Sequence, residues 1–550
     1  MRLIRRPKKA IWTKLAAVTA LAVGLAWPAA SAAAAPHARA QTAAAPACTD
    51  GTTVTTNSGP VCGTTASAVT SYLGIPYAAP PVGSLRWASP APAAPWTTTL
   101  QATAAGPTCV APGSGSENCL TLNVQVPADA GPGSHLPVMV EIHGGGFLLF
   151  GPPDGSHLVT AGHVIYVGMN YRLGILGFMA LKGLGPHSGD YGLQDQQAAL
   201  RWVQQNIASF GGNPHNVTIF GQSAGGASVC EQAVSPTARG LFQKGISQSG
   251  FYNSAVGPNQ VWEAADCKSQ LPTEAQAQAA GAALASKVGC GNAADQVACM
   301  RAVPAATLAS NAGQVLDPGA GGTIAPTING TTLPMSPGRA FATGHVNDVS
   351  LAIGVDRDEI NGGVNTPTTT AHTPDQYQSL VQAKYGTLAP KVFALYPLSR
   401  FSTPFIAFRT IEADSDSVCP ALAADRRIAS HTVNFAWEND DSDSPNTFLS
   451  GADPNGSFHD AENAFLFPGS ATLDADQAAL AVQVTSQWTG YAATGSPSVT
   501  GTPLWTAYSH HSPEVMSLVP AGDSVMVPAR TLAAQHNCGL WDSVTPIPAS

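Results

Sequence analysis

Short apolar, β-branched runs recur along the chain, and between them the apolar spacing changes from continuous to helical. Leu136–Ile142, Val164–Val167, Asn216–Phe220 and Val349–Val355 read as buried strands, too short and too continuously apolar for amphipathic helices. Leu120–Val124 alternates as a strand does, and Tyr72–Ala78 reads as a strand running into the proline-stiffened Pro80–Gly83. From Asp195 to Phe210 the residues Ala199, Trp202, Val203, Ile207 and Phe210 fall at helical spacing, and Gly211–Pro214 ends that helix. Strands alternating with helices predict an α/β fold on a largely parallel sheet covered on both faces. Residues 305–345, rich in Ala, Gly, Thr and Pro, read as loops over the sheet's C-terminal edge, where open α/β sheets bind ligands. The chain has no internal repeats.

The stretch from Asn216 to Val234 carries the most chemistry. Its strand passes through Gly221-Gln222-Ser223-Ala224-Gly225 into a helix that stops before Pro236. A strand, a tight turn with serine at its apex and a helix present a hydroxyl for nucleophilic attack, and the Ala224 amide points at the same spot. Upstream, the Leu136–Ile142 strand ends in His143-Gly144-Gly145-Gly146-Phe147, whose uncovered N–H groups suit an oxyanion hole. Leu148, Leu149 and Phe150 follow Phe147, and these four residues serve either as an acyl-pocket wall or as sheet-edge core. A serine nucleophile needs a base, and the base an orienting acid. Asp356-Arg357-Asp358-Glu359 places carboxylates just past the Val349–Val355 strand. Of fourteen histidines, His459 stands on a loop after a late strand, Thr432–Trp437, but spacing alone does not choose it over His431.

At 550 residues and 44% hydrophobic the chain can bury a large core. Its first forty residues are of another kind. Six basic residues precede an apolar run from Leu15 to Trp27, and small residues follow at Ala30-Ser31-Ala32 and up to Ala40, as in a secretory signal peptide with an Ala-rich leader. The expected mature protein, a single domain over 41–550, is secreted. Removing residues 1–32 takes the net charge from −9 to about −15. That balance argues against nucleic acid and anionic membranes as partners, and no later run is long enough to span a bilayer. Ten cysteines without C-x-x-C spacing fit five disulfides better than a metal or redox site. Cys48 and Cys62 bracket a hairpin-like stretch and are expected to pair.

These residues together resemble the type-B carboxylesterases, the cholinesterase-like branch of the α/β hydrolases. The resemblance covers nearly the whole mature chain. It runs through Gly74-Ile75-Pro76-Tyr77-Ala78, Glu117–Asn123, the His143–Phe147 run, Asn170-Tyr171-Arg172, Asp190–Gln196, the Ser223 turn and Trp488–Pro497. It implies an α/β-hydrolase fold, a central mostly parallel mixed sheet flanked by helices on both faces. It also implies hydrolysis of carboxylic esters through an acyl-enzyme, without cofactor or metal, on a small-molecule ester. Carried over by motif, Ser223 is the nucleophile, His459 the base and Glu359 the acid, with Gly145, Gly146 and Ala224 giving the oxyanion amides. The resemblance also pairs Cys109 with Cys119, Cys290 with Cys299 and Cys419 with Cys538, which leaves Cys230 for Cys267. Three positions depart from the family: Gln222 stands for a usual glutamate, Ile360 for a usual glycine, and the Cys109–Cys119 loop is short and holds no tryptophan. A peptidase or amidase with the same triad, or a non-catalytic binding protein on the same scaffold, are the other readings open to this sequence.

Overall fold

In the computed structural model, which describes residues 46–250, 271–312, 326–359, 371–445, 456–469 and 471–544, the apolar runs become strands. In chain order these are β1 (Val54–Thr55), β2 (Pro60–Cys62), β3 (Thr64–Ala66), β4 (Val69–Pro76), β5 (Leu100–Gln101), β6 (Thr121–Pro127), β7 (Leu136–Ile142), β8 (Ile165–Met169), β9 (Gly212–Gln222), β10 (Lys244–Gln248), β11 (Ser350–Asp356), β12 (Asn434–Asn439), β13 (Glu514–Leu518) and β14 (Val525–Pro528). Strands β1, β2 and β5 form a small sheet, stapled by Cys48–Cys62. The other eleven form one sheet in the order β14-β13-β12-β11-β10-β9-β7-β8-β6-β4-β3. Every pairing from β8 to β13 is parallel, and the pairings at both ends are antiparallel.

Side chains alternate across the sheet, so each central strand feeds two cores. Val140, Val167, Ile219 and Ile353 share one core with Ala199 and Val203 of the helix Tyr191–Asn206 and Val229 of the helix Ala224–Val234. Met139, Tyr166, Phe220 and Ala352 face the other, with Val484 and Trp488 of the helix Ala475–Thr494. Burying each large apolar side chain contributes about 1.5–3 kcal/mol. The 475–494 helix is locally specified as well: Asp474 and Gln477 form a capping box, and Gly495 ends it at φ 80°.

Three expectations need correction or extension. Residues 305–345 are not all loop, because they contain the helices Ala305–Ala312 and Pro337–Thr343. The first is rich in alanine, the best helix former; the second starts with proline in its first turn and ends at Gly344 with φ 74°. The second packs among other helices rather than lying across the sheet edge. The helix expected at Asp195–Phe210 starts earlier, at Tyr191, and its last turn, Ile207–Phe210, tightens to 3₁₀. Strand β10 is absent from the hydropathy pattern because Ile246 is its one large apolar residue, yet every residue in it is buried. Its polar groups are paired instead: Lys244 Nζ with the Asn216 side chain, and Ser247 Oγ donating to the Gly226 carbonyl at 2.9 Å.

Of the expected disulfides, Cys48–Cys62, Cys109–Cys119, Cys290–Cys299 and Cys419–Cys538 are formed. Cys267, expected to pair with Cys230, lies outside the described residues, as do Ile360 and the leader. Cys419–Cys538 spans 119 residues, and the loss of loop entropy it imposes on the unfolded chain is about 5 kcal/mol.

Beside that disulfide a buried ion cluster fastens the C-terminal segment to the sheet. His536 Nδ1 lies 2.5 Å from Asp414 Oδ1, and its Nε2 3.1 Å from Glu438 Oε2 on β12. Asp414 opens a buried π-turn, Asp414–Val418, and accepts the Tyr396 hydroxyl at 2.7 Å. Although burial alone disfavours the imidazolium, Glu438 and Asp414 outweigh it and push His536 up to about 10. A histidine raised in the fold above its unfolded value of about 6.5 adds stability that is complete below that value and lost as pH rises through 10. His536→Gln is therefore expected to cost about 3–5 kcal/mol at pH 6. Urea unfolding of both proteins from pH 6 to 10 should show that deficit shrinking steadily with pH.

Candidate active site

The site is assembled where the parallel strands end. Ser223 joins β9 to the helix Ala224–Val234 at φ 59°, ψ −123°, a backbone conformation that non-glycine residues adopt only under strain. What imposes it is close packing: a Cβ on Gly221 or on Gly225 would run into the Ile142 carbonyl at the end of β7. The Ser223 N–H donates to the Gln248 carbonyl of β10 at 2.9 Å. Its hydroxyl does not cap the helix it precedes, so the positive end of that helix, with Ala224, stays available to an incoming anion.

The His143–Phe147 run follows β7 and crosses over this turn. A Cβ on Gly144 would come within 2.7 Å of the Gln222 carbonyl and 3.2 Å of Ser223 Cβ. Gly145 and Gly146 take φ 96° and 65°, and the Gly145 carbonyl accepts the N–H groups of Leu148 and Leu149. Phe147 is buried against Phe178, at 5.0 Å between ring centres, which makes it core rather than pocket wall. Leu149 and Phe150 are exposed. His143 stacks on Tyr171, and desolvation lowers its pKa to about 4, leaving the ring neutral beneath the glycines.

Glu359 follows β11 and is fully buried; His459 follows β12 with its side chain 28% exposed. Glu359 Oε1 is in hydrogen-bond contact with His459 Nδ1, and the His459 N–H donates to the Glu359 carbonyl at 3.0 Å. Glu359 Oε2 accepts two further donors at 3.0 Å, the Ser249 hydroxyl and the Asp356 N–H. Burial and then the Asp356 carboxylate raise the Glu359 pKa, while those two donors pull it back. Desolvation lowers that of His459, favouring the neutral imidazole that a general base requires. Asp358, the neighbouring carboxylate, turns away and accepts the Ser457 N–H at 3.1 Å. His431 lies elsewhere, against Gly344.

The expected pair of His459 and Glu359 is thus in place, but no hydrogen bond joins Ser223 to His459 among the described residues. Gln222 Nε2 stands 3.2 Å from both ring nitrogens of His459. Ser249 and Gln248 were missed from the sequence. The available signal was Ile246-Ser247-Gln248-Ser249-Gly250, a strand end passing into small polar residues as at the other site strands. Among the described residues no group of three or more His, Cys, Asp or Glu side chains is arranged to hold a metal ion.

The model of the carboxylesterase family matches residues 50–541. The chain belongs to the carboxylesterase family. It is 34% identical over 499 residues to the para-nitrobenzyl esterase of Bacillus subtilis (strain 168), covering 84% of this chain and 94% of that protein. To carboxylesterase 3 of Pongo abelii it is 31% identical, over 80% and 82% of the two chains. A solved thermophilic para-nitrobenzyl esterase superposes with a TM-score of 0.72 at 31% identity, over 88% of this chain and 99% of that one. The fold is therefore that of an α/β hydrolase, and the carboxylesterase is a serine hydrolase of carboxylic esters.

The two adjacent carboxylates separate by experiment. Glu359→Gln is expected to lower kcat by about 10⁴-fold, as when an orienting acid loses its charge. Asp358→Asn is expected to cost less than about tenfold, since its contact is with backbone. Steady-state kinetics on one ester, with circular dichroism to confirm folding, makes the comparison.

Proposed function

We propose that this carboxylesterase is exported and cleaves neutral esters of short to medium acyl chain through an acyl-enzyme on Ser223. In this reading His459 takes the Ser223 proton as the hydroxyl attacks the ester carbonyl. Glu359 stabilises the imidazolium, and the amides of Gly145, Gly146 and Ala224 hold the tetrahedral oxyanion. His459 then protonates the leaving alcohol and afterwards activates the water that releases the acid. The observation that carries the reading is the Glu359–His459 contact at the same sheet edge as a serine held at φ 59° and left out of helix capping. Export is supported by the basic and apolar leader and by four disulfides among the described residues, which persist in oxidising compartments.

One experiment tests both parts. Protein recovered outside the cell is expected to begin between residues 33 and 41 and to be labelled by a fluorophosphonate on the peptide holding Ser223. Ser223→Ala should lose the label and about 10⁶-fold in kcat. A label on another serine, or an intact leader, would contradict the proposal.

The alcohol side is expected to be uncharged. Holding a quaternary ammonium takes an aromatic face, worth about 0.5–2 kcal/mol, or a nearby anion. The Cys109–Cys119 loop brings no tryptophan, its one acid, Glu117, is neutralised by a two-pronged pair with Arg86 at 2.6–2.7 Å, and Gln222 puts an amide beside the histidine. A choline ester and a neutral ester of the same acid should therefore show kcat/KM values that favour the neutral one. A choline ester hydrolysed about tenfold better would mean a cation site of at least 1.4 kcal/mol.

A further inference from the structure

Two phenylalanines beside the site stand where the backbone favours glycine. Phe147 and Phe150 take φ 61° and 77°, in the left-handed region that bulky side chains rarely enter. For Phe147 the fold supplies a reason. It is buried against Phe178, and its carbonyl accepts the Gly174 N–H at 2.6 Å. Phe150 has the same strained backbone, yet 47% of its surface is open to solvent. Glycine would take this conformation without strain and would expose no ring. A strained backbone held beside a reactive site points to a use for the side chain that it carries.

The ring's place shows what that use is. A Cβ on Gly145 would come within 2.6 Å of Phe150 Cδ2, so the ring edge lies against that glycine. On Gly144 a Cβ would come within 3.2 Å of Ser223 Cβ, so only these two glycines separate the ring from the serine turn. Gly146, next along, is exposed, and a Cβ on it would meet nothing within 4 Å. The turn that carries the ring is fixed at both ends. Leu148 and Leu149 donate their N–H groups to the Gly145 carbonyl at 3.0 and 3.1 Å. Beyond the ring, a Cβ on Gly151 would come within 2.8 Å of Asn170 Oδ1 and 3.1 Å of Thr108 Cγ2.

We propose that Phe150 is a specificity-determining residue whose ring packs on an apolar substituent of the ester. It favours substrates with an acyl or alcohol group of several carbons over the smallest ones. Closing such a group onto the ring removes apolar surface of both from water. Because the turn already fixes the ring, little freedom is lost on binding. The contact strengthens with each carbon that reaches the ring, whereas backbone strain acts on every substrate alike. The ring edge is pinned against Gly145 rather than carried out on a loop tip, which suits one substrate molecule better than a lipid surface.

This inference rests on the assignment of Ser223 and its oxyanion amides, and its test keeps the two apart. Wild type, Phe150→Gly and Phe150→Ala are compared by kcat/KM on two ester series, all below the solubility limit and after fluorophosphonate titration. One series runs from acetyl to octanoyl on a fixed alcohol, the other from methyl to octyl acetate. Glycine relieves the strain and removes the ring; alanine keeps the strain and removes the ring. The ratio of wild type to variant is expected to grow about tenfold along at least one series, equally for both variants. The series in which it grows tells whether the ring meets the acyl or the alcohol group. A ratio that stays flat in both series overturns the proposal, as does a trend in Phe150→Gly that Phe150→Ala lacks. A loss confined to substrate above its solubility limit also overturns it, since the ring then reads an interface. Should Phe150→Ala fail to fold, the trend of the unstrained Gly variant still decides. Wild type labelled at a serine other than Ser223 overturns the assignment beneath it instead.

Discussion

The Ile142 carbonyl decides how this site can be built. It occupies the space that side chains on Gly221 and Gly225 would need, so the turn between β9 and its helix can approach β7 only because both positions lack a Cβ. Wedged between them, Ser223 takes a strained backbone at a cost of about 1–3 kcal/mol, which the surrounding hydrogen bonds and packing must hold. The same approach brings Gly144 against the serine. Because β7, β9, β10, β11 and β12 run parallel, their carboxyl ends meet along one edge. The His143–Phe147 run, Ser223, Ser249, Glu359 and the His459 loop then come from strands that are neighbours or nearly so.

What the sequence made legible divides by physical cause. Strands β7, β9 and β11 are buried on both faces and so read as continuous apolar runs, within a residue or two of their observed limits apart from the longer N-terminal end of β9. The glycines around Ser223 and after His143 were equally legible, because each marks a place where backbone must pass close to something. Strand β10 was not, since it is buried by pairing polar groups rather than by hiding apolar ones. The Ala-rich 305–345 stretch misled through its glycines and threonines, although its helices follow ordinary start and stop signals. Ser249 escaped for another reason. Its contact with Glu359 joins segments 110 residues apart, which periodicity along one segment cannot register. Glu359 could be separated from Asp358 only by resemblance, and their opposite orientations have a plain origin: one accepts a side chain across the sheet edge, the other a loop N–H.

A chain with only 11% charged residues uses its buried charges as fasteners. Arg172 grips Asp195 with two nitrogens at 2.7 Å, joining the segment after β8 to the helix Tyr191–Asn206. Lys384 bridges Glu412 and Asp416 on the outer helices, and His536 ties the C-terminal segment to β12. Such pairs give little net stability when formed in place of apolar packing, but losing one partner strands the other in low dielectric. They fix geometry more than they deepen the fold.

The covalent link between Cys419 and Cys538 encloses β12, the His459 loop, β13 and β14. One peptide bond cut anywhere between those cysteines leaves two fragments that are still a single molecule. The histidine then stays covalently attached to the body that carries the serine, whichever side of it the break falls. For this region a single proteolytic nick is a change in connectivity rather than the loss of a part, and dissociation needs reduction as well as cleavage.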